Sequence, residues 1–341
     1  MTIVINGSTG ITDVDGSEVL STTDYTTISG IVDRDNRIIN GDFSVWQRGT
    51  SFTTGVYGAD RWLTSGTGAN ISQTRQSFTL GDALGVNSPT YFLRAATSGQ
   101  TLSTQYAVTT QRIESVSLYA GETITVLGWA RRSSGSGNMS IDADQVFGTA
   151  GTPSPNVLGI SQNTVTLTES WTPFAAVISL PSITDKTLGT NNNDYLGINF
   201  WISAGSVYAT RTNSLGLQTI DVDLWGIHIK RGIYTADVTN IYRQRDPGAE
   251  LALCQRYYET GTSTLLATYS GGNFGGGISH VFYNTTKRSV PSVTAIRTGG
   301  VGGTGTFNVG STTPTSCAIW FNGQATTGSY MIYNYYADAE I

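Results

Sequence analysis

Only two histidines and two cysteines occur among the 341 residues, so the side chains that do most catalytic and metal chemistry are scarce here. His228 lies in "LWGIHIK" and His280 in "ISHVFYN". Each reads as a strand histidine at the edge of a core, because no Gly-x-Ser-x-Gly turn supplies a nucleophile for it to activate. Cys254 and Cys317 are too few for a disulfide framework or, with two histidines, for a zinc site. Both read as small buried hydrophobes. Gly300, Gly302 and Gly305 in "GVGGTG" match a dinucleotide fingerprint formally, yet the following "TFNVGSTTPTSCAIWF" is strand and turn. Without a helix there is no set of N-terminal amides to hold a pyrophosphate, and the stretch reads as a hairpin loop.

The acids come next. Asp221 and Asp223 share a strand face in "IDVDLW", and "TNNND" ends at Asp194, so carboxylate oxygens from loops and strand could gather around a hard cation such as calcium. "DVDG" at Asp13 to Gly16 resembles the start of a calcium loop, but its twelfth position is Asp24, not Glu. Turn-forming Asp and Asn is the competing reading in both places. The expectation is therefore no cofactor, with structural calcium at Asp194, Asp221 and Asp223 as the alternative. Glycoside hydrolysis needs two carboxyl groups held apart at a fixed distance, and no pair stands out among the 24 acids. No catalytic residue is expected.

Aromatic side chains are the one enriched type, with 17 Tyr and 7 Trp. They crowd the last strands as Trp320, Phe321, Tyr330, Tyr333, Tyr335 and Tyr336. In "SYMIYNYYA" alternation puts Tyr330 and Tyr336 on one face and Tyr333 and Tyr335 on the other. One set belongs to a core and the other to a surface or interface. Rings beside Asn, Thr and Gly suit stacking on sugar faces. Trp320, Tyr333 and Tyr335 are the expected ligand contacts, with core or interchain packing as the alternative.

The elements that must position these groups are strands. Charged residues make up only 13% of the chain and glycine numbers 41, a composition that suits strands and tight turns rather than helices. An all-β fold follows. Residues 1–35 form a polar N-terminal arm too poor in apolar residues to fold alone, so neighbouring chains are expected to hold it. Residues 36–233 alternate as a large sandwich, with "ETITVLGWARR", "DYLGINFWIS" and "QTIDVDLWGIHIKRG" as strands. Residues 234–258 hold the one helix signal, "RDPGAELALCQRYYET", in which Asp246 caps, Pro247 opens the first turn, and Leu251, Cys254 and Tyr258 share a face. Residues 259–341 make about six further strands, a small second sandwich.

Net charge is −5 and no run of Lys or Arg forms a stripe, which argues against nucleic acid and anionic membrane as partners. The opening residues lack a basic and apolar leader pattern, and no stretch of about 20 apolar residues occurs. Synthesis in a cytoplasm without membrane insertion is expected.

Four motifs in order carry a resemblance. "INGDFSVWQRG" followed by "YGADRW" resembles the start of a domain of bacteriophage tail fibres and other tail-associated proteins. "VDLWGIHIKRG" is similar to the closing strand of their carbohydrate-module-like jelly roll, "ELALCQRYYE" to the helix after it, and "YYADAEI" to their C-terminal end. "TIVINGSTGIT" also resembles the N-terminal segment of such fibres. The resemblance implies a virion protein with jelly-roll domains, homotrimeric, attached to other virion proteins through residues 1–35, and without catalytic residues. On this reading Trp46, Arg48, Asp60, Arg61 and Trp62 are scaffold. The two rings fill core, while the Arg and Asp satisfy one another and nearby backbone at the sandwich edge. Function is then expected as an adhesive fibre that recognises a host surface polysaccharide or lipopolysaccharide. A purely structural appendage such as a head fibre, collar or decoration protein is the alternative, and a glycan depolymerase the third.

Overall fold

The computed structural model describes residues 4–6, 10–12, 18–20, 36–68, 70–79, 81, 84, 87–237, 242–266, 268–270, 273–275, 278–301, 304–324 and 330–341. Strands β1 (Val4–Asn6), β2 (Gly10–Thr12) and β3 (Glu18–Leu20) pair antiparallel as one small sheet. The "DVDG" stretch lies outside the described residues.

Twelve strands build the larger sandwich: β4 (Ser51–Thr53), β5 (Val56–Tyr57), β6 (Trp62–Thr67), β7 (Ser72–Ser77), β8 (Tyr91–Thr97), β9 (Tyr106–Glu114), β10 (Thr123–Arg131), β11 (Gly137–Val146), β12 (Val157–Leu167), β13 (Thr172–Ser179), β14 (Tyr195–Ala204) and β15 (Ile220–Arg231). One sheet runs β13-β10-β15-β8-β7-β4 and the other β12-β11-β14-β9-β6-β5. The chain passes from sheet to sheet again and again, the wiring of a jelly roll. Period-two patterning decides what faces inward: Ile124 and Val126 of β10, Ile141 and Ala143 of β11, Ile198, Phe200 and Ile202 of β14, and Val222 and Leu224 of β15 are all buried in one core. Burying so many branched and aromatic side chains is what holds the two sheets face to face.

Trp62 sits in that core with Phe43 and Phe200 at ring separations of 5.0 and 5.7 Å, and its indole N–H donates to the Asn40 carbonyl at 2.9 Å. Trp46 is only partly buried against the same core and donates to the Phe43 carbonyl at 2.7 Å. Asn40 adopts φ 56° and Gly41 follows so close to β15 that a Cβ on it would stand 2.0 Å from the Ile227 carbonyl oxygen. The pair makes a turn, but the first strand after it begins only at Ser51.

Helix α1 (Pro247–Gln255) starts as its sequence dictates. Asp246 Oδ1 accepts from the amides of Gly248 and Ala249 at 2.9 and 3.2 Å, and Pro247 occupies the first turn. The buried side differs from the expected stripe. Glu250 and Cys254 point inward, Leu251 is exposed, and Tyr258 already belongs to the next strand. Glu250 is drawn in because it accepts from the Asn40 amide and from Arg245, whose guanidinium also reaches the carbonyls of Ile38 and Asn36.

Beyond the helix come β16 (Tyr258–Leu266), β17 (Thr268–Ser270), β18 (Asn273–Gly275), β19 (Ile278–Phe282), β20 (Ser292–Val301), β21 (Thr304–Gly310), β22 (Ser316–Gln324) and β23 (Tyr330–Asp338). Sheets β16-β23-β20 and β19-β22-β21 enclose a second core of Leu265, Val281, Cys317, Ile319, Phe321, Met331, Tyr333 and Tyr335, and β17 pairs with β18. At its base Lys287 and Glu259 form an ion pair at 2.6 Å with both side chains fully buried.

Arg48 and Arg61 do not pair with Asp60. Arg48 reaches Asp338 at 3.2 Å and Glu340 at 3.3 Å, and Arg61 pairs with Glu340. Arg112 and the Tyr57 hydroxyl both donate to the Ile341 main-chain oxygen. Asp60 instead accepts from the Gln47 amide and side chain. The local reading of "ADRW" thus gives way to contacts across nearly the whole chain.

Candidate functional site: a cleft on the outer face of the β11-β14-β9 sheet

The same alternation that fills the core sends the other residues of β11, β14 and β9 outward. Antiparallel register sets Asp142 opposite Asn199, Asp144 opposite Gly197, and Ser140 opposite Trp201; on the far side Thr110 faces Asn199 and Val108 faces Trp201. A segment with a 3-10 turn at Ser206–Tyr208 then folds back over this face and delivers Tyr208 and Arg211. The result is a cleft of about 200 Å³ lined by Tyr106, Trp201, Tyr208, Tyr195, Asn199 and Arg211 among others.

One side is aromatic. Tyr106, Trp201 and Tyr208 have centroids 5.7, 4.9 and 5.5 Å apart pairwise. The other side is a polar array. Asp142 accepts from Asn199 Nδ2 at 2.9 Å, from the Trp201 indole at 2.9 Å and from Arg211 at 3.1 Å. Asp144 accepts from Asn199 at 3.0 Å and from Arg211 at 2.7 Å, and Thr110 donates to Asn199 Oδ1 at 2.9 Å. The Arg211 guanidinium lies 4.8 Å from the Trp201 ring centroid.

Burial pushes Asp142 up to about 6, with the Asp144 charge adding to the rise and Arg211, Trp201 and Asn199 opposing it. Burial pulls Arg211 down, but the two carboxylates more than reverse that and hold it above its usual range. Burial likewise raises Tyr195 and Tyr208. Such an array offers flat rings beside fixed donors and acceptors, the arrangement that recognises a pyranose by stacking and by hydroxyl hydrogen bonds.

The residues expected from sequence fall elsewhere. Tyr333 and Tyr335 are buried in the C-terminal core, Tyr333 with its ring 4.8 Å from Phe307 and Tyr335 donating to Glu259 at 3.0 Å. They offer no stacking surface: the parity was right and the inward face was theirs. Trp320 lies on the outer face of β22, half-buried, with its ring against Gly310. Asp223 is held by Arg94 at 2.6 Å and Arg131 at 3.0 Å, and Asp221 by the Ser133 amide at 2.8 Å. Asp194 caps the Val116 amide at 2.9 Å. Two arginines neutralise the carboxylate on which a calcium reading rested, and the three acids are not brought together. Gly300 lies in β20 and Gly305 in β21, strand to strand with no helix after them among the described residues. His228 is fully buried; its Nδ1 lies 2.9 Å from the Gly226 carbonyl and burial lowers it to about 4. His280 is exposed on β19. A sequence signal for the cleft existed in "SIDADQ", where Asp142 and Asp144 alternate with core residues, and in Trp201 of "NFWIS".

No protein-family model matches the chain, and no curated protein matches it. Among solved structures, the enzymatically active domain of tailspike protein 4 of bacteriophage CBA120 is similar over 58% of this chain and 21% of its own, at 12% identity and TM-score 0.33. The family 11 carbohydrate-binding module of Clostridium thermocellum, in complex with a mixed-linked tetrasaccharide, is similar over 53% and 94%, at 10% identity and TM-score 0.30. The N-terminal CBM22-1–CBM22-2 tandem of Xyn10C from Paenibacillus barcinonensis is similar over 90% and 98%, at 8% identity and TM-score 0.33. This chain spans about a fifth of the tailspike domain's length.

Proposed function

We propose that this chain is a virion fibre protein that binds a bacterial surface glycan in the cleft lined by Tyr106, Trp201, Tyr208, Asn199, Asp144 and Arg211, with Asp142 buried beneath them. The observation that carries the glycan reading is the cluster of three rings set directly against a satisfied acid, amide and guanidinium array. Stacking supplies affinity at little rotamer cost, and the fixed polar groups supply orientation. The virion assignment rests on the ordered resemblance of "INGDFSVWQRG", "YGADRW", "VDLWGIHIKRG" and "YYADAEI" to phage tail fibres.

The chain acts by binding rather than by cleavage. Asp142 and Asp144 converge on one Arg211 guanidinium, whereas hydrolysis needs two carboxyl groups on opposite sides of a scissile bond.

Tyr106→Ala and Tyr208→Ala test the reading on a host-envelope glycan array and in cell adhesion, because both rings are only partly buried. Each should cost roughly 1 kcal/mol or more, a five- to tenfold loss of affinity per site, amplified where several chains bind together. Adhesion unchanged in a folded Tyr106→Ala/Tyr208→Ala protein would refute it. That outcome favours the structural-appendage reading, which the exposed Ile278 and Phe282 on β19 support, since exposed apolar rows mark packing surfaces.

A further inference from the structure

The chain carries a net charge of −5, yet its arginines are not spread evenly. A second cavity, of about 640 Å³, opens where α1 meets the end of β9, and its lining includes Arg37, Arg61, Arg112, Arg245 and Arg256 against one acid, Glu114. Five of the 19 basic residues therefore face one space in an acidic molecule.

Some of this charge is spent. Arg256 pairs with Glu114 at 2.9 Å, Arg245 with Glu250 at 3.0 Å, and Arg61 with Glu340. Arg112 is not matched by a carboxylate side chain among the described residues; it lies 5.0 Å from the Tyr195 ring centroid and donates to the Ile341 main-chain oxygen. Arg37 is exposed and makes no ion pair among the described residues. The buried Arg61 Nε has no hydrogen-bond partner.

Arg112 lines this cavity and the aromatic cleft alike. Along β9 it stands six residues from Tyr106, roughly 20 Å at the rise of an antiparallel strand. The two spaces are thus consecutive stations along one strand, aromatic at Tyr106 and cationic at Arg112. A polymer stacked on the rings and running along β9 meets the guanidinium groups next. Low-dielectric walls around a lining with an excess of positive charge, left by Arg37 and Arg112, concentrate the field there, which selects for charge on the ligand.

We infer that the ligand is an anionic polysaccharide, with neutral ring faces on Tyr106 and Tyr208, backed by the buried Trp201, and an acidic substituent taken by Arg112 and Arg37. This rests on the glycan reading of the cleft and narrows it to a substrate class. Bidentate guanidinium geometry serves carboxylate, sulfate and phosphate substituents alike.

Matched pairs of polymers separate the two claims: polygalacturonate against its carboxyl-reduced form, dextran sulfate against dextran, and dextran phosphate against dextran, each titrated calorimetrically into full-length protein. The acidic members should bind about tenfold tighter than their neutral partners, an advantage that shrinks as salt rises. Arg37→Ala, an exposed change that leaves folding intact, should narrow the gap, and Arg112→Gln should narrow it further. Tyr208→Ala should weaken both members of a pair equally. Neutral members binding as well as acidic ones, or a gap untouched in the Arg37→Ala/Arg112→Gln protein, would overturn the anionic assignment while the glycan cleft stands. Binding that survives unaltered in Tyr106→Ala/Tyr208→Ala would sink both.

Discussion

Asp142 and His228 make the pH dependence of stability a test of two buried sites at once. Asp142 has no exposed surface and stands at about 6 in the fold against 3.8 for the free side chain. Between those values the folded protein keeps a proton that the unfolded chain has lost. Its contribution is therefore full below about pH 4 and is lost as pH rises through about 6, some 3 kcal/mol at 1.36 kcal/mol per unit. His228, equally buried, falls from 6.5 to about 4 because burial disfavours the imidazolium. Here the unfolded chain binds the extra proton. The stabilisation is full above about pH 6.5 and is lost as pH falls through about 4, again roughly 3 kcal/mol. The two slopes are opposite and overlap between about pH 4 and 6, so in the wild-type protein they nearly cancel there. Urea unfolding followed by tryptophan fluorescence at half-unit pH steps resolves them. Asp142→Asn should uncover the histidine slope, losing about 2 kcal/mol relative to wild type on going from pH 6 to 4. His228→Phe should uncover the opposite slope and gain stability over the same range. If the difference between Asp142→Asn and wild type is flat with pH, Asp142 titrates like a surface acid and the enclosed description of the cleft is wrong.

Two further outcomes are expected. Lys287→Met should destabilise the C-terminal sandwich by about 3–5 kcal/mol, because Glu259 is left buried without its cation; adding Glu259→Gln should recover part of the loss, and equal unfolding midpoints for wild type and Lys287→Met would contradict this. The resemblance to phage fibres carries the expectation of a homotrimer: light scattering at micromolar concentration should give one species near three times 36.3 kDa, and a monomer would remove the avidity on which weak sites depend.

What was legible in the sequence is what depends on neighbours along the chain. Charge-poor alternation in "DYLGINFWIS" and "ETITVLGWARR" gives the strands themselves, and Asp246–Pro247 gives the start of the helix. Parity within "SYMIYNYYA" is equally plain, but which face is core depends on the sheet packed against it. Tyr333 and Tyr335 therefore separate correctly from Tyr330 and Tyr336 and still land inside. The cleft was hidden for the same reason. Asp142 meets Asn199 across 57 positions and Arg211 across 69, and Arg48 and Arg61 find Glu340 across 292 and 279. Composition sees the residues, while only cross-strand register and loop return bring them into contact.

The clasp between Arg48, Arg61, Arg112 and residues 338–341 has a mechanical side. Strand β16 leaves the larger sandwich at Tyr258, and β23 comes back beside it, Asp338 opposite Tyr258. The C-terminal sandwich is therefore moored by two neighbouring cables, one covalent through α1 and one ionic through Asp338 and Glu340. A single tether would let it swivel like a bead on a string. With two, a sideways pull at the far end becomes tension in one cable and compression in the other, and the sandwich behaves as a cantilever that transmits torque to the larger domain. Salt loosens first the link to the half-exposed Asp338, whereas the buried Arg61–Glu340 pair is screened far less and keeps the cantilever stiff.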